Sequence, residues 1–237
     1  MTGRVLSLHR WPVKSMGGEP VGALRIDPRG AGGDRTHAVW HVHKGEPQPL
    51  TAREAPGLLA WSARYATPGD ALDPTTPPEP ELTAPDGTRF AWSDPALPAA
   101  LSDDLGRAVT LRRDLRGQQD LADSLLVTVE GTRADAERTL ATPLDLRRFR
   151  TNIHIEIAAP PWAEQEWEGH TLAVGETDLQ LLHPCERCVI PTRDPDTQDR
   201  WPQLLKWLNA ERGTCFGINA RPPAPATIRV DDSVELR

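Results

Sequence analysis

Residues 170–183 read HTLAVGETDLQLLH, two short stretches hinged on Gly175. The pattern reads as two short strands joined by a glycine turn. Strand signals of this kind recur along the chain. VLSLHRWPV (5–13) alternates apolar and polar residues and stops at a Lys-Ser-Met-Gly-Gly turn, and VGALRID (21–27) follows it. HAVWHVH (37–43) is able to place Ala38, Trp40 and Val42 on one face. AVTLRRD (108–114), SLLVTVE (124–130) and NIHIEIA (152–158) read as further strands, and TIRVDDSVELR (227–237) as a β-turn-β pair or a final strand.

Helical signals are fewer. A short helix around 95–105 is expected to end at Gly106. GTRADAERTLA (131–141) should stop before Pro143, with Thr132 and Asp135 resembling an acidic variant of a capping box. WPQLLKWLNAE (201–211) sets Leu204, Leu205, Trp207 and Leu208 at helical spacing. The Pro-, Thr- and Asp-rich segment 67–88 reads as a long surface excursion, not a hinge. No internal repeat is visible. The sum is a β-rich α+β fold, barrel-like, with about three short helices.

The chain has 237 residues and a formal net charge of −7. Such an acidic chain has no global field drawing it to nucleic acid or anionic lipid, so any anion site must come from locally clustered arginines. No apolar run approaches a membrane span. Arg4, His9 and Arg10 break any signal-peptide core. Three cysteines are too few for a disulfide framework, and the expected location is a reducing cytoplasm. Lysine occurs only at Lys14, Lys44 and Lys206, which makes Lys14 in WPVKSMGG conspicuous.

HPCERCVIPTRDPDT (183–197) carries Cys185 and Cys188 at C-x-x-C spacing, which admits a redox pair, a zinc site or a disulfide. Val189, Ile190 and Pro191 after Cys188 are strand chemistry, which argues against a helix-capped dithiol. His183, Cys185, Cys188 and Cys215 are enough ligands for zinc, but the chain lacks a second knuckle. Cys215 is equally readable as a small buried hydrophobe. Arg187 and Arg193 flank Cys188, and neighbouring cations favour a thiolate, a good soft ligand for the metal of a cofactor.

LDLRRFRTNI (144–153) places three arginines within four residues. Arg147 fits a solvated strand end. If the segment is extended, Arg148, Arg150 and Asn152 share a face, and guanidinium forks plus an amide suit phosphate. WPVKSMGG adds a lysine and a hydroxyl, Lys14 and Ser15, before two glycines. LTAREAP (50–56) adds Arg53. GAGGDR (30–35) is followed by a strand, so it fails as a dinucleotide-binding loop.

In order along roughly 5–236, WPVKSMGG, GGDRTHAVW, LTAREAP, RFRTNI, EWEGHTLAVG, HPCERCVIPTRDPDT and CFGINA resemble the MOSC proteins, named after the molybdenum cofactor sulfurase C-terminal domain. The pattern is similar to that of amidoxime-reducing components. The resemblance implies a MOSC-type β-barrel with an N-terminal β-barrel region, divided at 1–95 and 96–237. It implies a molybdenum cofactor whose metal is completed by Cys188, with Lys14, Ser15, Arg35, Arg150 and Asn152 holding it and Arg53 and Arg187 as neighbours. Two departures stand out: Arg150-Thr151-Asn152 where the family has Arg-Pro-Asn, and the acidic Glu186 between the cysteines.

The activity implied is reduction of a small N-hydroxylated or N-oxide substrate, with Cys188 as the catalytic metal ligand. An iron–sulfur cluster needs four cysteines or equivalents. A separate electron-transfer protein of ferredoxin, flavin reductase or cytochrome type is therefore expected. The alternative is a non-redox carrier of cofactor or sulfur, using a persulfide on Cys188.

Overall fold

The computed structural model describes residues 1–73, 75–114 and 125–237. Its centre is a closed barrel of seven strands. Ile153–Ile157, Leu125–Val129, Cys215–Arg221, Thr177–Glu186, Thr171–Val174, Ser233–Leu236 and Thr2–Arg10 follow one another, and Thr2–Arg10 pairs back onto Ile153–Ile157. The opening stretch forms the hairpin it signals, Thr171–Val174 against Thr177–Glu186. The second strand runs past His183 and carries Cys185 to the barrel rim.

Alternation explains the closure. Val5, Leu8, Leu125, Val127, Ile153, Ile155, Leu172, Val174, Leu179, Leu181, Ile218, Ala220 and Val234 all pack into one core cluster. A closed barrel leaves no unpaired edge to protect. Gly217 allows one strand to bend inward: its φ is +75°, and a Cβ there would stand 2.5 Å from the Val127 carbonyl oxygen. Leu125–Val129 and Ile153–Ile157 are parallel, and the helix Glu130–Leu140 makes the crossover that parallel neighbours require.

Around the barrel sit three small three-stranded sheets. His37–His43 lies between Thr110–Arg113 and Glu46–Pro49, and Glu81–Thr83 lies between Ser62–Arg64 and Arg89–Ala91. Val13, Met16, Val39, Leu50, Leu58, Trp61, Leu82, Leu97 and Leu101 form a second core under them. Ala226–Arg229 pairs with Ala23–Asp27, while Ser233–Leu236 belongs to the barrel. The terminal β-turn-β therefore splits between two sheets. The remaining helices are Leu97–Leu105, ending at Gly106, and Pro202–Arg212, which buries Leu204 and Leu208. No helix among the described residues is long and apolar enough to cross a membrane.

Several local expectations change. In HAVWHVH the face of Ala38, Trp40 and Val42 runs from a fully buried Ala38 to Val42, which is 69% exposed, while His37, Val39 and His41 on the other face are all buried. The crossover helix starts at Glu130 with no side-chain cap; the Thr132 hydroxyl instead donates to Glu164 at 2.8 Å, and Asp135 accepts from Trp162 Nε1 at 2.6 Å. A capping box fails because strand Leu125–Val129 runs directly into the helix. The excursion 67–88 is not wholly superficial, since Leu72 is buried and Glu81–Thr83 is a strand. Ser124 lies outside the described residues.

Candidate functional site

At one end of the barrel a cavity of about 390 Å³ opens between loops of both halves of the chain. Lys14, Ser15, Arg35 and Arg53 line it from the N-terminal half. Arg148, Phe149, Arg150, Cys185, Glu186, Arg187, Cys188 and Asn219 line it from the other half. Seven of the eight residues singled out from the sequence thus meet at one place; Asn152 does not line it.

Asp34 ties the first loops together. It is fully buried, its Oδ1 accepts from the Trp11 N–H at 2.7 Å and its Oδ2 accepts from Arg35 Nη1 at 2.7 Å. Burial raises the Asp34 carboxyl above the usual carboxylate range, against the opposing pull of Arg35. Arg35 Nη2 also donates to the Arg150 carbonyl at 3.3 Å. Lys14 is set by its N–H to the His37 carbonyl at 2.8 Å, next to the isolated bridge between Val13 and His37. Gly33 makes the turn before Arg35; its φ is +76°, and a Cβ would meet the Tyr65 ring at 2.8 Å.

Three cavity residues, Ser15, Arg35 and Arg150, adopt left-handed backbone, with φ of 69°, 51° and 56°. Such geometry costs a non-glycine residue on the order of 1 kcal/mol or more and gathers at functional sites. The Ser15 hydroxyl oxygen accepts the Ala52 N–H at 3.1 Å, which places the neighbouring Arg53 on the cavity wall. Arg53 is exposed, and no described carboxylate pairs with it.

Residues 146–152 are not extended. Leu146–Phe149 is a 3-10 turn with Asp145 as its cap, and the left-handed Arg150 ends it. The turn still delivers Arg148 and Arg150 to the cavity, because its left-handed end redirects the chain. Arg147 points outward to Asp145 and Asp196, as its surface reading anticipates. Asn152 turns inward and is fully buried: its Oδ1 accepts the Leu126 N–H at 3.1 Å and its Nδ2 donates to the His9 carbonyl at 3.3 Å. Thr151, where a proline is the family habit, is buried, and its hydroxyl accepts from Thr128 at 3.4 Å.

Cys185, Cys188 and Cys215 are all free and half-buried. Val189–Pro191 does not continue as a strand; Ile190–Thr192 is a 3-10 turn, since Pro191 sits comfortably in a first turn where its missing N–H is not needed. Three residues are too short to act as a thiol-activating helix. Arg187 sits among the thiols, its Nε and Nη2 donating to the Phe216 carbonyl at 3.0 and 2.7 Å and its Nη1 to the Phe149 carbonyl at 3.2 Å. Burial lowers its pKa, while the three cysteines pull it back up. Burial raises the Cys215 thiol, helped by Glu186. Arg193, the other flanking arginine, does not reach this cavity. Among the described residues no group of three or more His, Cys, Asp or Glu side chains stands ready for a metal, so the zinc alternative finds no site there.

The cavity wall holds six cationic side chains and one carboxylate, Glu186, in a chain that is acidic overall. That arrangement suits a polyanionic ligand presented to a soft thiol ligand, Cys188. The sequence reading placed Arg148 on a phosphate-suited face, as the cavity bears out, but assigned no role to Asp34, Thr51 or Asn219, although they lie in GGDRTHAVW, LTAREAP and CFGINA.

Comparison with known proteins gives two family models: MOSC N-terminal beta barrel domain over residues 2–94 and MOSC domain over residues 118–235. Mitochondrial amidoxime-reducing component 1 of Homo sapiens is 27% identical, covering 82% of this chain and 67% of that protein. The Mus musculus protein of the same name is 27% identical, covering 99% and 82%. The YUAD protein of Bacillus subtilis, a solved structure, aligns at a TM-score of 0.49 and 13% identity, over 100% of this chain and 96% of that one.

Proposed function

Because this chain belongs to the MOSC family through both of its halves, we propose that it is a molybdenum-cofactor-dependent reductase of N-hydroxylated or N-oxide substrates. MOSC domains and amidoxime-reducing components are associated with the molybdenum cofactor. The observation that carries the reading is the convergence of six cations on one cavity that also presents Cys188.

The residues present fit the group. Lys14, Arg35, Arg53 and Arg150 would neutralise its phosphate, and the Ser15 hydroxyl, whose oxygen is held by the Ala52 N–H, keeps its own hydrogen to donate. Cys188 would ligate the metal through its thiolate. When bound, the cofactor supplies a two-electron metal centre suited to accepting a substrate oxygen. Asp34 and Asn152 act indirectly, holding Arg35 and the barrel rim in register. We place the electron source outside these residues, whose three thiols fall short of the four ligands an iron–sulfur cluster takes, and propose a redox protein as that source.

The test is expression in a host that makes the cofactor, followed by metal analysis, pterin fluorescence and viologen-driven reduction of benzamidoxime. The expected result is near-stoichiometric molybdenum and activity that Cys188→Ala abolishes. Equal activity after Cys188→Ala overturns the mechanism. Protein without molybdenum but with cyanide-releasable sulfur points to the carrier alternative instead.

A further inference from the structure

A second cavity of about 270 Å³ adjoins the first, and Arg148, Arg150 and Ile190 line both. Its apolar lining is Leu59, Ala60, Ile190 and Pro195, backed by the buried Trp11 and Trp61 beside Gly17 and Gly18. No side chain can fill the space from Gly18, where a Cβ would lie 2.3 Å from the Arg10 carbonyl oxygen. The opposite wall carries Arg147, Arg193, Asp194 and Asp196.

The charges of that wall do not cancel. Arg147 is matched by Asp196 at 2.6 Å, and Arg148 by Asp194 at 2.7 Å. The Arg193 side chain has one described hydrogen bond, from Nη1 to the Gln198 carbonyl at 3.3 Å, and no described carboxylate pairs with it. A second observation points the same way: Arg148, with its side chain 9% exposed, keeps a buried Nε that has no partner. The partly exposed Leu59, Ala60, Ile190 and Pro195 give the chamber its apolar lining, and Arg193 adds a positive charge that no described carboxylate matches.

We propose that this second chamber takes the substrate, and that Arg193 selects one bearing a carboxylate or similar anion on a small apolar body. The proposal rests on the reductase reading, because the chamber opens beside the wall shared with the Cys188 cavity. Arg193 is a specificity residue: it holds the anionic end, while Leu59, Ile190 and Pro195 line the space for the apolar end. A charged hydrogen bond at a partly exposed site is worth about a tenfold preference.

The experiment compares benzamidoxime with its ring-carboxylated analogue on the cofactor-loaded protein, with a chemical electron donor. The expected result is a KM about tenfold lower for the carboxylated compound. Arg193→Gln should erase that preference and Arg193→Lys restore most of it; because both compounds meet the same folded variant, their ratio is insensitive to a general loss of stability. An unchanged ratio in Arg193→Gln overturns the proposal. A parallel titration of the protein with benzoate, read by tryptophan fluorescence, separates the two readings. Saturable quenching that Arg193→Gln abolishes supports the chamber even if no amidoxime is reduced. Amidoxime reduction without either carboxylate effect sinks the chamber and leaves the reductase standing.

Discussion

The Arg150 guanidinium reaches the Met16 carbonyl, Nη1 to oxygen 2.6 Å, joining residues 134 positions apart. It also lies over the Trp11 ring, 4.5 Å from the centroid. One side chain thus braces the WPVKSMGG loop and contributes to the cationic wall. Arg150→Ala and Arg150→Gly should both lose molybdenum retention by elemental analysis. Gly accepts the left-handed backbone, so Arg150→Gly should be more stable than Arg150→Ala by about 1 kcal/mol in urea unfolding. Equal stabilities would mean that the left-handed turn is not strained.

Asn152 separates a ligand from a brace. Its amide serves the Leu126 N–H and the His9 carbonyl, so Asn152→Ala should destabilise the cofactor-free protein by about 2–4 kcal/mol. Unchanged stability of the cofactor-free variant, together with lost molybdenum, would assign the amide to the cofactor directly.

His37 should make the fold acid-sensitive. It is fully buried against Trp92, with ring centroids 4.6 Å apart, and burial, aided by Arg113, lowers its pKa to about 3. Below its unfolded value near 6.5 the unfolded chain binds the extra proton, so this contribution is complete above pH 6.5 and is lost as pH falls toward 3. From pH 6.5 to 4.5 the loss should be about 2–3 kcal/mol. Urea midpoints at the two pH values should draw closer in His37→Gln; an equal separation in both proteins would remove His37 as the cause.

Glu164 has the opposite sign. It is buried beside Thr132, and burial raises its carboxyl to about 6. The folded state holds the proton more tightly, so stability falls as pH rises from about 4.5 through 6. Glu164→Gln should therefore be more stable than the parent at pH 8 by up to about 2 kcal/mol, with the gain vanishing near pH 4. A constant gain at every pH would trace the effect to packing.

Much of the architecture was legible because strand alternation and helix spacing are local. HTLAVGETDLQLLH, NIHIEIA and WPQLLKWLNAE declare their elements through which side chains each must bury. The misreadings arose where neighbours overrode local preference. Pro191 reads as strand chemistry beside two β-branched residues but opens a 3-10 turn. Thr132 has a cap-like partner three residues on, yet its hydroxyl finds Glu164 across 32 positions.

By itself, the sequence determined that the chain is β-rich, that some of its basic residues fall in short motifs such as WPVKSMGG and LRRFR, and that Arg187 and Arg193 flank Cys188. Only the tertiary structure decided which of those residues meet. Closing Thr2–Arg10 onto Ile153–Ile157 brings Lys14, Ser15 and Arg35 against Arg150 and Cys188, and no periodicity encodes a contact over that separation. The same closure turned Asn152 inward as a brace and sent Arg193 to the neighbouring chamber. A side chain's direction is settled by the backbone groups and charges it meets once the barrel is shut.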